Sequence, residues 1–435
     1  MSSRLEILAL EPFYGGSRRA MLDAVMRCSR HQWTLLKLPA RRMERRLEAA
    51  AQWFAEQMSR HDFGRADVVF TSEAMNLSEL QRLVPRLARR PAVVYFHDNQ
   101  LPSPAEVQAD WFESRRGALT AATDGGDDWS AELSGWPTEP EEPTGTDSST
   151  IGGSLDEDFS TDRREITDNP LSREHFKART NPAAKRGLLA TVNLNTAMAA
   201  AELWFNGEYT RQLFIDRASA LIDMHPDLRP LNPMPMLRRR MAIVPPPVDL
   251  SLLQELASEP TQRDPRTIFV DTRNANLRLL VTSLKVLRQT GERFTLITTG
   301  PQQGIPDELD RIVIPERDEF GRARGIRQAG VYVSAKVGAN HDEHIVPALT
   351  AGCWPVVPDS GFYGDLLPLN LHINCMHDGS PDSLVSRILD AWYVDRPEDY
   401  EHELVSLLGS VDFKRACDRI DDRLAAIAGG GAYRG

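Results

Sequence analysis

Three consecutive prolines, in Ile243-Val244-Pro245-Pro246-Pro247-Val248-Asp249, stand between two series of short apolar runs that alternate with helical stretches. Proline fixes φ and lacks a backbone N–H, so such a run cannot continue a helix or a central strand and makes a stiff extended connector. A hinge is therefore placed here. Before it, Leu5–Leu10, Trp33–Leu38, Asp67–Thr71, Ala92–Phe96 and Leu203–Phe205 read as strands, separated by helical stretches such as Ala40–Gln57 and Leu77–Arg89. After it, strands are predicted at Thr267–Asp271, Phe294–Thr299, Arg311–Pro315, Val331–Ser334, Pro355–Val357 and Leu371–Asn374. Helices are predicted at Leu277–Thr290, Phe320–Ala329, Val346–Ala351, Pro381–Asp395 and Glu401–Ala428. Strands alternating with helices imply parallel sheets, so the expected class is α/β, with two Rossmann-like doubly wound domains facing a central cleft.

A chain of 435 residues suits two linked domains, and 41% apolar content is enough for packed cores. The formal charge of −11 is unevenly spread. Twelve acids and no Lys or Arg lie between Asp124 and Asp162, which leaves 50 acids against 51 bases elsewhere. That acidic stretch, rich in Gly, Pro, Ser and Thr, has no sustained apolar period, so it cannot offset its ordering entropy by burial. The expected domains are residues 1–116 with 186–245, a mobile insertion over 117–185, and residues 246–435.

No 18-residue uncharged apolar run occurs, and Met1-Ser2-Ser3-Arg4 leads straight into a strand-like run. A cytoplasmic protein without membrane partners is the expectation. Cys28, Cys353, Cys375 and Cys417 form no CxxC pair, so buried, reduced thiols are expected rather than a disulfide scaffold or a cysteine zinc site.

Four places could carry chemistry. The turn Gly15-Gly16-Ser17 follows the first strand and opens a helix, where backbone N–H groups can approach an anion or hydroxyls; a tight structural turn would account for the same glycines. His97-Asp98-Asn99-Gln100 follows an apolar strand, at the sheet edge where ligands bind in this class, although Asp98 and Asn99 also suit a closed turn. Arg273 follows a strand and Arg278 lies five residues on, so both guanidiniums are expected to face the cleft and neutralise a diphosphate leaving group. His341-Asp342-Glu343-His344 is not HExxH and offers no third ligand by spacing; it suits a donor sugar or nucleotide better than a metal. GxGxxG, GxxxxGK[ST] and GxSxG are absent, which removes dinucleotide, P-loop and serine-hydrolase readings. The clusters Arg41-Arg42-Arg45-Arg46, Arg82-Arg86-Arg89-Arg90 and Arg238-Arg239-Arg240 suit either phosphate contacts or a solvated basic face.

Leu10-Glu11-Pro12-Phe13-Tyr14-Gly15-Gly16-Ser17, Asn76-Leu77-Ser78-Glu79-Leu80 and Tyr95-Phe96-His97-Asp98-Asn99-Gln100-Leu101 closely resemble the N-terminal domain of the tRNA-queuosine alpha-mannosyltransferases, and Leu203-Trp204-Phe205-Asn206 resembles the strand that resumes it after the insertion. The resemblance implies a GT-B fold and a retaining glycosyltransferase that moves mannose from GDP-mannose to the queuosine of a tRNA anticodon. It implies no cofactor beyond the nucleotide-sugar donor. By similarity His97 is the catalytic candidate. Gly15, Gly16, Arg273, Arg278 and Glu343 are donor-binding candidates, and Ser17, Asp98, Asn99, Gln100 and Asn206 acceptor-binding ones.

The sequence departs from related enzymes in the second half, where two glutamates precede an Ala/Cys-Gly turn. Anchoring on Ala351-Gly352-Cys353-Trp354-Pro355 puts Pro347 and Ala339 at their places. Two other readings follow: a non-catalytic member that binds tRNA or a nucleotide sugar, and a sugar transferase with a different small acceptor.

Overall fold

Six residues buried in succession within Glu6–Tyr14, the first four of them the apolar run Ile7–Leu10, make β1 a strand covered on both faces. In this computed structural model, which describes residues 4–41, 43–60, 66–99, 101–106, 182–224, 232–396, 400, 403, 407 and 413–430, β1 sits inside a parallel sheet. Its companions are β2 (Gln32–Pro39), β3 (Val68–Ser72), β4 (Ala92–Phe96), β5 (Glu202–Phe205) and β6 (Met241–Ile243), in the order β2-β1-β3-β4-β5-β6. A second parallel sheet holds β7 (Asp264–Asp271), β8 (Thr295–Thr299), β9 (Arg311–Ile314), β10 (Ala329–Val333), β11 (Trp354–Pro358) and β12 (Met376–His377), in the order β12-β11-β10-β7-β8-β9. Strand order reverses between β1 and β3 in the first sheet and between β7 and β10 in the second. Those reversals open crevices at the carboxyl ends of the strands.

The chain divides into a unit of residues 1–101 with 189–435, which contains both sheets, and a unit of residues 102–188. The expected insertion falls almost wholly on residues 107–181, outside the described ones.

Two local expectations are corrected. Leu371–Asn374 is not a strand but part of the helix Leu369–Cys375, which buries Leu371 and Cys375, four residues apart on one helical face. The strand comes next, as the two buried residues of β12. The expected set of four reduced thiols also fails, because Cys28 and Cys417 form a disulfide across 389 residues of chain, with Cα atoms 6.1 Å apart. Cys353 and Cys375 are free and buried.

That disulfide marks where the last described helix, Phe413–Ala428, joins the first lobe instead of the second. Ile420, Leu424 and Ile427 pack against Ile7, Val25, Val68 and Val244. Asp421 accepts from Ser29 Oγ at 2.5 Å and from the Arg30 N–H at 2.7 Å, which seals the end of the helix Gly16–Cys28.

Beneath the carboxyl ends of β1, β3 and β4 lies a buried charge cluster. Arg18 pairs with Glu73, and Glu73 also accepts the backbone N–H groups of His97 and Asp98, each at 3.2 Å. Glu11, 2% exposed, accepts from the Phe13 N–H at 2.8 Å and from Ser72 Oγ at 3.0 Å. Burial, only partly offset by Arg18, pushes the Glu11 carboxyl up to about 7.

Two measurements follow. Leu424→Ala removes a wholly buried side chain and should cost about 2–5 kcal/mol, read as a lower urea midpoint with first-lobe probes; an unchanged midpoint would place the helix elsewhere. Between the ordinary carboxyl value of 4.5 and about 7 the folded protein holds a proton on Glu11 that the unfolded chain has lost. Stability contributed by this group is therefore full below 4.5 and falls as pH rises through 7, by an amount on the order of 3 kcal/mol. Glu11→Gln should flatten that slope in urea titrations at pH 5 and pH 8.

Candidate active site at the carboxyl ends of both sheets

The first lobe supplies a glycine turn. Gly15 packs so tightly that a Cβ would collide with the Ala40 side chain, and Gly16 has φ +53°, a left-handed value that glycine adopts without strain. Gly15 stands at the N-cap of the helix Gly16–Cys28 with no side chain to satisfy the first N–H groups. Those donors are open to a ligand oxygen. Behind the turn, His97 ends β4 with its backbone held by Glu73. Burial, together with Arg18 and His341 nearby, keeps the His97 imidazole well below its ordinary range, so it is neutral and able to donate and accept hydrogen bonds.

The second lobe supplies the charge. Asp271, at the end of β7 and 1% exposed, accepts from the Arg273 backbone N–H at 3.0 Å, from Arg273 Nε at 3.1 Å and from Lys336 Nζ at 2.7 Å. Burial alone would raise its carboxyl, but Lys336 and Arg273 hold it below the usual range. Arg273 pairs as well with Glu343, and its Nη1 lies 3.5 Å from Glu316. Lys336 Nζ lies 3.4 Å from Asp342, a buried carboxylate that also accepts from Tyr332 at 2.5 Å and Tyr363 at 2.8 Å. These donors keep Asp342 ionised against the effect of burial.

Asp271, Glu343 and His344 bring one ligand atom each within 4.8 Å of one another, a spacing that could hold a cation. The place is filled by a guanidinium. Arg273 Nη2 donates to Asp271 at 3.1 Å, to Glu343, and to His344 Nε2 at 3.0 Å. Arginine has only donors, so Nε2 of His344 is the accepting nitrogen of a neutral ring, in agreement with the burial that lowers its pKa.

A cleft of about 760 Å³ lies between the two lobes. Gly15, Gly16, Ser17 and Asn206 line one wall, and Arg273, His341, Glu343 and Pro347 the other. Asn340 bridges the lobes: its side-chain amide donates to Asp98 Oδ1 at 2.7 Å, and its backbone carbonyl accepts from Asn206 Nδ2. The Tyr209 N–H donates to Asp365 as a further bridge.

Of the residues singled out in the sequence, Gly15, Gly16, Ser17, Asn206, Arg273 and Glu343 come together around this cleft. His97 is buried behind the wall, and Asp98 is spent on Asn340. Asn99 is structural: its N–H donates to Asp98, and its Oδ1 accepts from the Leu101 N–H at 3.3 Å. Gln100 lies outside the described residues. Arg278 is the correction. It is exposed and absent from the cleft lining, because the helix Leu277–Gln289 buries Leu279, Leu280, Ser283, Leu284 and Leu287 and turns position 278 outward. Lys336, which sequence reasoning missed together with Asp271, stands behind the wall and is not part of the cleft lining; both hold Arg273 in place from there.

Residues 6–119 and 179–248 match the family described as tRNA-queuosine alpha-mannosyltransferase N-terminal. The tRNA-queuosine alpha-mannosyltransferase of Drosophila melanogaster is 38% identical over 99 residues, which are 22% of this chain and 26% of that protein. The match thus spans about a quarter of the curated relative. The catalytic domain of starch synthase IV from Arabidopsis thaliana, bound to ADP and acarbose, superposes with a TM-score of 0.56 at 8% identity, covering 98% of this chain and 100% of that one. Trehalose-6-phosphate synthase OtsA gives 0.56 at 9% identity, over 97% and 99%. At such identities the likeness is one of fold, and the fold is GT-B. No helix among the described residues is long and apolar enough to cross a membrane. Over these residues the first lobe is similar to the N-terminal domain of the tRNA-queuosine alpha-mannosyltransferases.

Proposed function

We propose that the chain is a retaining glycosyltransferase of the cytoplasm that takes a sugar, mannose from GDP-mannose by family, to the queuosine of a tRNA anticodon. One observation carries the reading: Arg273 is fixed at the carboxyl end of β7, on the cleft wall facing the Gly15-Gly16 turn. In the transfer, the bond between the anomeric carbon and the diphosphate oxygen breaks, and a bond to an acceptor hydroxyl oxygen forms. Negative charge grows on the departing diphosphate, and a pre-positioned guanidinium stabilises it more than the ground state.

Glu343 occupies the face of Arg273 that a phosphate oxygen would take. Donor binding exchanges that carboxylate for phosphate and frees Glu343 to accept from sugar hydroxyls. The open N–H groups of the glycine turn serve the transferred sugar, with neutral His97 backing that wall, while Ser17 and Asn206 stand on the acceptor side. The reading needs no metal, since Arg273 on the cleft wall supplies the positive charge.

Pro347 on the cleft wall and Ala339 in the loop favour a second reading, in which the chain binds its ligands without turnover. Slow donor hydrolysis separates the two: a transferase releases free sugar, and a binding protein releases none.

A thermal-shift panel of GDP-mannose, UDP-glucose and ADP-glucose tests donor binding. A ligand at 100 times its Kd stabilises the folded state by about 2.7 kcal/mol, so GDP-mannose should raise the melting temperature of the wild-type protein by a few degrees. Arg273→Ala should abolish the rise. A full response in that variant would remove Arg273 from the site.

A further inference from the structure

The cleft uses the carboxyl ends of the first sheet, and the opposite end has a feature that the proposed transfer leaves unexplained. Four segments meet there. Residues 58–60 end the helix that precedes β3, while 85–91, 198–201 and 235–241 lead into β4, β5 and β6; together they contain seven arginines and no acidic residue. Hydrogen bonds join them into one surface. Arg86 Nη2 donates to the Met58 carbonyl at 3.0 Å, the Val69 N–H to Pro91 at 3.0 Å, and the Ala201 N–H to Ala92 at 2.8 Å. Arg240 Nη1 donates to the carbonyls of Met198 at 3.2 Å and Ala200 at 3.0 Å.

Arg86 and Arg240 thus satisfy carbonyls at helix carboxyl ends, a common structural use of arginine. Arg60, Arg89, Arg90, Arg238 and Arg239 do not: they are exposed, and their side chains have no hydrogen-bond or ion-pair partner among the described residues. The adjacent acids do not compensate them. Asp67 accepts the Glu6 N–H at 2.9 Å, and Glu202 holds Arg423 at 2.6 Å and Trp204 Nε1 at 2.8 Å. Five uncompensated positive charges on one edge contrast with a net charge of −11 for the chain.

We propose that this amino edge of the first sheet docks the phosphate backbone of a double-helical RNA stem, apart from the cleft. The choice of RNA rests on the reading of the cleft as one that acts on tRNA; the polyanion chemistry comes from the surface itself. Every base on the four segments is arginine, whose planar fork matches two phosphate oxygens. None of the segments carries an aromatic residue, so unpaired bases have no platform to stack on, and a stem read by its backbone is the better fit. Four strand starts spaced about 4.8 Å apart span roughly 15 Å, the scale of a short row of phosphates. Strands of four or five residues at about 3.3 Å each, with their turns, put this edge roughly 20 Å from the cleft. A nucleoside cannot touch both places, whereas a folded tRNA can.

The test uses the full chain and fluorescently labelled bulk tRNA, with anisotropy followed from about 50 to 300 mM KCl. The variant Arg89→Glu/Arg90→Glu/Arg238→Glu/Arg239→Glu should bind at least roughly 30-fold more weakly at the low-salt end, and its log K against log salt slope should fall by about 3. Its melting temperature and its response to nucleotide sugars should match wild type, since the changed side chains hold nothing in place. Wild-type tRNA affinity and slope in this variant would overturn the proposal. So would duplex DNA of equal length bound as tightly as tRNA, or phosphatidylserine vesicles that bind the protein and lose it in the variant while tRNA binding stays unchanged. If no nucleotide sugar shifts the melting temperature, the cleft reading fails by itself, and the anisotropy still decides whether the edge holds RNA.

Discussion

A single buried carboxylate, Asp271, fixes Arg273 on the wall of the cleft. It lies at the end of β7 beside the strand-order reversal, where it receives both Arg273 and Lys336. A carboxylate in that position is costly unless its partners are fully engaged, and a cation beside it is equally costly alone. Each therefore holds the other. The arrangement places a guanidinium at the cleft without a loop having to order it when a ligand arrives, which is what electrostatic stabilisation of a leaving group requires.

The first lobe inverts the pattern. There one buried cation, Arg18, stands between two carboxylates, Glu11 and Glu73, and Glu73 passes the restraint on to the backbone of His97 and Asp98. Burial of this cluster, together with His341, keeps His97 neutral. The basic edge lies on the far side of the same sheet, where the carboxyl ends of several helices are gathered and arginine is locally favourable. A surface begun by helix electrostatics is thereby available to a polyanion.

Alternation of strand and helix, and the proline connector, made the two sheets legible in the sequence, because parallel strands buried on both faces read as continuous apolar runs. The glycine turn and Arg273 were legible for the same reason, as residues just past strand ends. Arg278 was not. Spacing from Arg273 gave it the right neighbourhood, but the buried face of its helix, set by Leu279 and Leu280, rotates it to solvent. Lys336 was hidden because it depends on sheet register: Val333 lies opposite Val270, so Lys336 and Arg273 occupy equivalent places three residues further on. Strand order, which no local pattern states, is what makes β7 and β10 neighbours. The pairing of Cys28 with Cys417 was equally invisible, since it requires the last helix to return to the first lobe. The apolar stripe Ile420-Leu424-Ile427 shows that this helix needs a partner but does not say which lobe provides it.

That return has a mechanical consequence. The lobes meet across the cleft through exchangeable hydrogen bonds, from Asn340 to Asp98 and Asn206 and from Tyr209 to Asp365. Each such bond contributes about 1 kcal/mol net, because water replaces it when it opens. The last helix is held differently, by three wholly buried aliphatic side chains worth about 1.5–3 kcal/mol each and by a covalent link to the helix that follows the glycine turn. Separation of the lobes therefore breaks the Asn340 and Asp365 contacts first and leaves the last helix attached to the first lobe. Because Asn340 directly precedes His341 on the cleft wall, the contact that closes the lobes also sets the position of that imidazole opposite the glycine turn.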